Sequence, residues 1–201
     1  MKDIKPFQIF DVLSQDDFTK VLTEKFNFIP KGQGLKNIKL QLKHSEQKIG
    51  VFSKLCTKIE GILTEKGFED PKVLSIDFIN QSQRKHMPFH RHWLWEGIDP
   101  YKEHKNYQPK PESIGKSRLA IPYEYFWIAI YYPHDLYDFD YHGTLTVKKE
   151  PEDTDVYQFK AVPNSIVMHN GLYGHEVNIN KADPSKLRDS CFTEWVCLYK
   201  A

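Results

Sequence analysis

The sequence predicts a mainly β fold with N-terminal helices, arranged as a β-sandwich or a jelly roll. Helical periodicity is confined to residues 1–70, whereas residues 71–201 form a series of short apolar segments separated by turns. Phe, Trp and Tyr make up 14% of the 201 residues, which favours a core rich in sheet. We therefore expect a single domain over 1–201. Its N-terminal strand and supporting helices would lie in 1–70 and its jelly-roll core in 71–201.

The N-terminal part is predicted to form one strand and two helices. A short strand and then a helix are indicated by FQIFDVLSQDDFTKVLTEKF, with Ser14 as the N-cap of the helix. A second helix is expected over 49–63, because apolar residues recur there at steps of three and four. Gly67 ends that pattern, as glycine often does just beyond a helix. Cys56 falls within the apolar stripe and is interpreted as a core residue.

The rest of the chain is predicted to be strands and loops. The segment 97–122 is polar and rich in Lys and Pro, which is typical of a long loop that acts as a lid or binding loop. The segment YYPHDLYDFDYHG is interpreted as a solvated turn between strands, with the lining of a binding mouth by its tyrosines and aspartates as the alternative. Strands are expected at 73–79, 125–132, 143–149, 156–162, 165–170 and 191–199.

Composition argues against several classes of protein. Lys and Arg total 28 and Asp and Glu total 27, so the net charge is +1 and a basic field for nucleic acid is absent. The apolar runs are too short to span a membrane, and the first residues lack a secretory apolar core. Three cysteines without CxxC spacing fit a reducing compartment, so we expect a cytoplasmic protein.

A histidine-rich motif, HMPFHRHW, is the strongest indication of chemistry. His90 and His92 alternate, and alternate residues of a strand point to the same face, so both imidazoles would meet one metal ion. Imidazole suits iron, zinc, copper and nickel. His175, in VPNSIVMHNGLYGHEV, is the candidate third ligand. His169 is a reserve ligand, because its even spacing from His175 could place both on one sheet face.

These features together resemble the iron(II)- and 2-oxoglutarate-dependent oxygenases, which are built on a double-stranded β-helix, a cupin-like jelly roll. The resemblance is greatest to the prolyl-4-hydroxylase-like branch and to phage and marine bacterial oxygenases that carry HxH where most members carry HxD. It covers roughly residues 74–199. The segments that carry it are IDFINQSQRKHMPFHRH, YFWIAIYY, YHGTLTV, VPNSIVMHNGLYGHEV and LRDSCFTEW.

The resemblance implies a set of cofactors and site residues. Fe(II) would be held by His90, His92 and His175, with no catalytic residue beyond the metal ligands. Arg188 and Ser190 match the family's Arg-x-Ser and would bind the distal carboxylate of 2-oxoglutarate, the co-substrate. A planar guanidinium also suits a carboxylate on chemical grounds. The activity implied is hydroxylation of a peptide or small-molecule substrate.

Two other functions stay open. His92 stands where the usual triad has Asp, so the barrel either works with three histidines or has kept the fold as a non-catalytic binding or structural protein. His90, His92 and Glu96 also match HxHxxxE, the first metal motif of cupins, which include three-histidine dioxygenases and isomerases. No histidine occupies the register of the second cupin motif, since Met168 stands there, and the oxygenase spacing fits better.

Overall fold

A computed structural model of the protein describes residues 4–24, 38–40, 51–81, 86–91, 125–179 and 188–199. Within these ranges the chain forms ten strands and three helices. The helices are α1 (Gln15–Glu24), α2 (Val51–Glu65) and α3 (Phe139–His142). The strands are β1 (Phe7–Ile9), β2 (Ile38–Leu40), β3 (Phe68–Gln81), β4 (His86–His90), β5 (Phe126–Tyr131), β6 (Thr144–Lys148), β7 (Tyr157–Lys160), β8 (Ile166–Asn170), β9 (Gly174–Asn178) and β10 (Arg188–Tyr199).

The strands form two antiparallel sheets. The main sheet has six strands in the order β1-β8-β5-β10-β3-β2, and the minor sheet has four in the order β4-β9-β6-β7. Strands distant in sequence are neighbours, as in the pairing of β10 with both β3 and β5. This is the topology of a double-stranded β-helix, so the predicted mainly β fold with N-terminal helices is confirmed.

Each face of the main sheet covers a separate apolar core. On β5, Trp127 and Ala129 face the core that α1 and α2 cover, where Ile59 of α2 is fully buried. Ile128 and Ile130 alternate with them and face the minor sheet. The second core lies between the sheets, and β4 and β9, which carry the predicted ligands His90 and His175, both contribute side chains to it.

The two long helices are joined at the start of α1. Ser14 caps α1 as predicted, since its Oγ accepts a hydrogen bond from the backbone N–H of Asp17 at 3.2 Å. Asp17 in turn accepts a hydrogen bond from Nζ of Lys54 on α2 at 2.6 Å. Asp17, which the N-cap Ser14 contacts, therefore anchors α1 to α2. Both helices brace the outer face of the main sheet.

Several predicted boundaries differ from the structure. The strand expected at 73–79 extends over Phe68–Gln81, and β9 was not among the expected strands. The turn expected at 131–143 does connect β5 to β6, but it is not solvated throughout, because α3 lies there and both His134 and His142 are buried. The loop expected at 97–122 lies outside the described residues. In the described parts of the chain, no helix has the length and apolarity needed to cross a membrane.

Candidate metal centre

His90 and His175 stand directly opposite each other on β4 and β9 of the minor sheet. Directly paired residues of antiparallel strands point to the same face. Their imidazole rings lie with centroids 4.5 Å apart and planes at 69°. His175 is only 1% exposed, and His90 is half-buried. Two of the three predicted metal ligands are therefore brought together.

A β-bulge in β4 determines which way His90 faces. Met87 pairs with Val177, and the next pair is His90 with His175, so β4 advances three residues while β9 advances two. Met87 and Val177 both pack in the core between the sheets. In a regular strand Phe89 would stand opposite His175, and the extra residue puts His90 there instead. The bulge therefore turns His90 towards the interior.

Arg91 holds the end of β4 after the bulge. Its Nη2 donates hydrogen bonds to the backbone carbonyl of Lys149 and to Oε1 of Glu150, the latter at 2.8 Å. Both partners follow β6, which is two strands away from β4 in the minor sheet. Arg91 thus fixes the backbone between His90 and His92. His92 itself lies outside the described residues, as does Glu96.

The interior side of His175 contacts the main sheet. The ring of Phe192 on β10 lies 6.1 Å from that of His175, measured between centroids. Nε2 of His169 on β8 lies 3.1 Å from Nδ1 of His175. The expectation that His169 and His175 share one sheet face is wrong, since β8 and β9 belong to different sheets. The two histidines meet across the space between the sheets.

The predicted co-substrate residues lie on β10. Ser190 is 5% exposed, and it alternates with Phe192, which faces the core between the sheets. Ser190 therefore shares the sheet face that contacts His175. The backbone of Arg188 pairs with that of Gln81, and its side chain is outside the described part of the structure.

One buried carboxylate on this face was missed by the sequence reasoning. Glu194 is 5% exposed and continues the alternation of Ser190 and Phe192 on β10. Across the main sheet it pairs with Ile128, which pairs with His169. The signal was present in the sequence, since every second residue from Arg188 onwards would share one face.

The imidazoles of His90 and His175 are suitable ligands for iron. Two facing imidazoles on a paired strand fit Fe(II), for which imidazole is a usual ligand. Among the described residues, no three His, Cys, Asp or Glu side chains are grouped as a metal site requires. His92, the third predicted ligand, lies outside those residues.

Comparisons with known proteins identify the fold. No family model matches the sequence, and no curated protein sequence matches it significantly. A Trichoplax adhaerens prolyl hydroxylase, solved with a hypoxia inducible factor peptide, matches 95% of this chain and 83% of its own, with 11% identity and a TM-score of 0.61.

Two further solved structures show the same architecture. A viral collagen prolyl hydroxylase from Paramecium Bursaria Chlorella virus-1, solved with 2-oxoglutarate, has a TM-score of 0.57 and 10% identity, covering 98% of this chain and 97% of its own. The α-ketoglutarate-dependent epimerase SnoN from nogalamycin biosynthesis has a TM-score of 0.59 and 10% identity, covering 95% of this chain and 77% of its own. The predicted resemblance is confirmed at the level of the fold: the chain has the double-stranded β-helix of the 2-oxoglutarate-dependent oxygenases.

Proposed function

We propose that the protein is an Fe(II)- and 2-oxoglutarate-dependent oxygenase with a three-histidine metal site. The observation that carries the proposal is the facing pair of His90 and His175, which a β-bulge turns towards the interior of the barrel. The fold is shared with enzymes that use this co-substrate. Because one fold hosts several reactions, the site rather than the fold must decide the activity.

His90, His92 and His175 would hold the metal. Iron bound there would supply the activation of O₂ with 2-oxoglutarate and the hydroxylation of a substrate C–H bond. Three neutral ligands bring no negative charge to the ion, unlike the usual triad of two histidines and a carboxylate. We therefore expect weaker retention of Fe(II) than in an enzyme with an aspartate at position 92.

Arg188 and Ser190 would bind the distal carboxylate of 2-oxoglutarate. A guanidinium donates two parallel hydrogen bonds to a carboxylate, and a serine hydroxyl adds a third. Ser190 is buried on the face of β10 that also carries Phe192. Phe192 is two residues along β10 from Ser190, and its ring lies 6.1 Å from that of His175 on β9, so it would help to exclude water from that side of the site.

A peptide or a small molecule is the proposed substrate. The Trichoplax prolyl hydroxylase is solved with a peptide fragment, which supports the peptide class. The segment 97–122, predicted as a binding loop, would provide the specificity. A net charge of +1 gives no global attraction for nucleic acid, which we regard as an unsuitable partner.

The proposal is tested by anaerobic titration of the metal-stripped protein with Fe(II) and 2-oxoglutarate. Chelation of the keto acid to protein-bound iron gives a weak visible charge-transfer band. We expect a saturable band that is lost in His175→Ala and His92→Ala and shifted to higher 2-oxoglutarate concentration in Arg188→Ala. His134→Ala removes a buried histidine of the segment after β5 and serves as the control, with the band retained.

Other outcomes of the titration would favour one of the two alternative functions. Tight metal binding without the band would contradict the proposal and favour a cupin-type metalloprotein. If no metal binds, the chain is a non-catalytic ligand-binding or structural barrel. A band that survives His92→Ala but not His175→Ala would show that His92 is not a necessary ligand. Release of succinate and CO₂ from 2-oxoglutarate, measured in air, then tests turnover separately from binding.

A further inference from the structure

A backbone carbonyl group determines which ring nitrogen of the buried His169 carries the proton. Nδ1 of His169 lies 3.0 Å from the backbone carbonyl oxygen of Asn170. A carbonyl oxygen only accepts hydrogen bonds, so Nδ1 must carry the proton. The same carbonyl accepts the N–H of Tyr173 at 3.2 Å, and the side chain of Asn170 accepts the N–H of Leu172 at 3.1 Å. The turn that connects β8 to β9 therefore fixes this acceptor.

The other nitrogen of His169 then determines the tautomer of His175. With Nδ1 protonated, Nε2 of the neutral His169 ring carries a lone pair and accepts. Its neighbour at 3.1 Å is Nδ1 of His175, which must be the donor. The proton of a neutral His175 is thus on Nδ1, and its lone pair is on Nε2. A metal ion binds an imidazole through such a lone pair.

The position of His169 makes this arrangement rigid. Its side chain is fully buried, and its strand β8 is paired on both sides by β1 and β5. The two rings approach edge to face, with centroids 5.2 Å apart and planes at 71°. His169 belongs to the main sheet and His175 to the minor sheet, so the hydrogen bond also fixes the separation of the sheets at the site.

We propose that His169 is a positioning residue that holds His175 in the Nδ1–H tautomer, with Nε2 presented for metal binding. It is not itself a metal ligand in this arrangement, because its Nε2 is engaged by His175. The inference deepens the proposed function and rests on it only where metal affinity is concerned. Partners of this kind orient a ligand histidine and raise its basicity, and their loss costs about 10–100-fold in metal affinity.

The tautomers can be read directly in the metal-free protein. Long-range ¹H–¹⁵N correlation spectra of ¹⁵N-histidine-labelled protein distinguish the protonated ring nitrogen from the unprotonated one. We expect both His169 and His175 to be Nδ1–H tautomers, with assignment by single substitution of each residue. An Nε2–H tautomer at His175 in the metal-free protein would overturn the proposal. This result does not depend on iron, 2-oxoglutarate or activity.

Two variants at position 169 separate the hydrogen bond from packing. His169→Gln places an amide oxygen near the position of Nε2, so His175 should stay Nδ1–H and keep most of its affinity for Co(II), used as a stable substitute for Fe(II). His169→Leu fills similar volume without an acceptor. We expect it to lose the Nδ1–H preference of His175 and to weaken Co(II) binding by about 10–100-fold.

Controls distinguish this role from a purely structural one. His134→Leu removes another buried histidine, whose Nε2 donates to the Ala161 carbonyl, and should lower stability without changing Co(II) affinity. Equal Co(II) affinities in His169→Gln and His169→Leu would overturn the positioning role. If wild-type protein binds no Co(II), the proposed function fails, whereas the tautomer of His175 is still decided by the spectra.

Discussion

Gly174 packs against the ring of Phe89 so closely that a Cβ atom at residue 174 would lie 2.4 Å from Cζ of Phe89. The same atom would lie 2.7 Å from the backbone carbonyl oxygen of His90. A ring can rotate, but the carbonyl belongs to the strand that carries the candidate ligand. Only glycine at this position lets β9 approach β4 at the facing pair of His90 and His175.

Gly174→Ala is therefore expected to separate the two candidate ligands. Overpacking should lower the free energy of unfolding by about 1–3 kcal/mol. The larger effect should be on metal affinity, because the shift occurs at the residue preceding His175. Isothermal titration with Co(II) and urea unfolding measure the two effects on the same samples. Unchanged Co(II) affinity would contradict the role assigned to Gly174.

Gly61 provides the matched control for this substitution. It lies within α2, and a Cβ atom there would meet nothing within 4 Å. Gly61→Ala should raise the free energy of unfolding by roughly 0.5–1 kcal/mol, because alanine is the better helix former. Co(II) affinity should stay at the wild-type value.

Ser190 and Thr193 are predicted to have separable roles on β10. Ser190→Ala should raise the 2-oxoglutarate concentration at half saturation of the charge-transfer band by about tenfold, through loss of one hydrogen bond to a charged group. Thr193 accepts the Nε1 proton of Trp195 at 2.8 Å and donates to the Ala129 carbonyl at 3.2 Å. Thr193→Val should therefore lower stability and leave the band unchanged. The opposite pattern would refute the assignment of Ser190.

The sequence predicted residue types and alternation better than it predicted pairing. Helix α1 begins where the Ser14 cap predicted it, and the strand at 126–131 follows the apolar run that indicated it. These features depend on local periodicity, which a sequence shows directly. His90 and His175, which were predicted to bind one metal ion, lie opposite each other in the structure, although nothing local in the sequence required the two strands to pair.

The features that were missed depend on tertiary context. The bulge before His90 is defined only relative to β9, so alternation within HMPFHRH cannot reveal it. The bond between His169 and His175 depends on β8 and β9 being in different sheets, whereas even spacing suggested a shared face. Burial of His134 and His142 follows from their packing against each other, with ring centroids 4.4 Å apart, in a segment of polar composition.

Asn164 is expected to contribute strongly to stability, independently of the metal centre. Its Oδ1 accepts hydrogen bonds from the Leu13 N–H at 3.1 Å and the Tyr131 hydroxyl at 2.9 Å, and its Nδ2 donates to the Leu13 carbonyl at 2.9 Å. Asn164→Ala should cost about 2–4 kcal/mol by leaving buried groups unsatisfied.

Two further variants resolve the sources of that cost. The backbone of Asn164 is left-handed, with φ of 54°, so Asn164→Gly should be about 1 kcal/mol more stable than Asn164→Ala. Tyr131→Phe removes only one donor and should cost about 1 kcal/mol. Urea unfolding measures all three variants. If Gly and Ala at position 164 are equally stable, backbone strain is not part of the effect.

Asp17 should make stability depend on pH in the acid range. The hydrogen bond from Lys54, and to a smaller extent that from Ser14, lowers the pKa of the Asp17 carboxyl below its usual value of 3.8. A carboxyl with a lowered pKa stabilises the fold above its unfolded pKa, and the contribution is lost as the pH falls through the folded pKa. Wild type should therefore exceed Asp17→Asn in stability near neutral pH.

The comparison is made by urea unfolding between about pH 6 and pH 3. The difference between wild type and Asp17→Asn should shrink towards zero at the acid end. Asp16→Asn removes a neighbouring acidic residue from the same first turn of α1 and controls for the helix dipole. If the stability difference between wild type and Asp16→Asn changes with pH in the same way as that for Asp17→Asn, the effect does not come from the contact between Asp17 and Lys54.

The three cysteines should be unreactive in the native protein. Cys56 is 5% exposed, and Cys191 and Cys197 are fully buried. Burial raises the pKa of the Cys56 thiol to about 12 and that of Cys197 well above 9.0. The thiolate is the reactive form, so at pH 8 the Cys56 thiol would be almost entirely un-ionised and unreactive.

Reaction with an aromatic disulfide reagent at pH 8 tests this directly. In native protein the thiols should react only as fast as the fold opens. Unfolding in guanidinium should expose all three thiols at once. Thr57→Cys supplies a positive control, because residue 57 is exposed beside Cys56 on α2, and its thiol should react at the rate of a small-molecule thiol. A wild-type thiol that reacts as fast as the Thr57→Cys thiol would show that the core formed by α2 and the main sheet opens far more readily than its burial indicates.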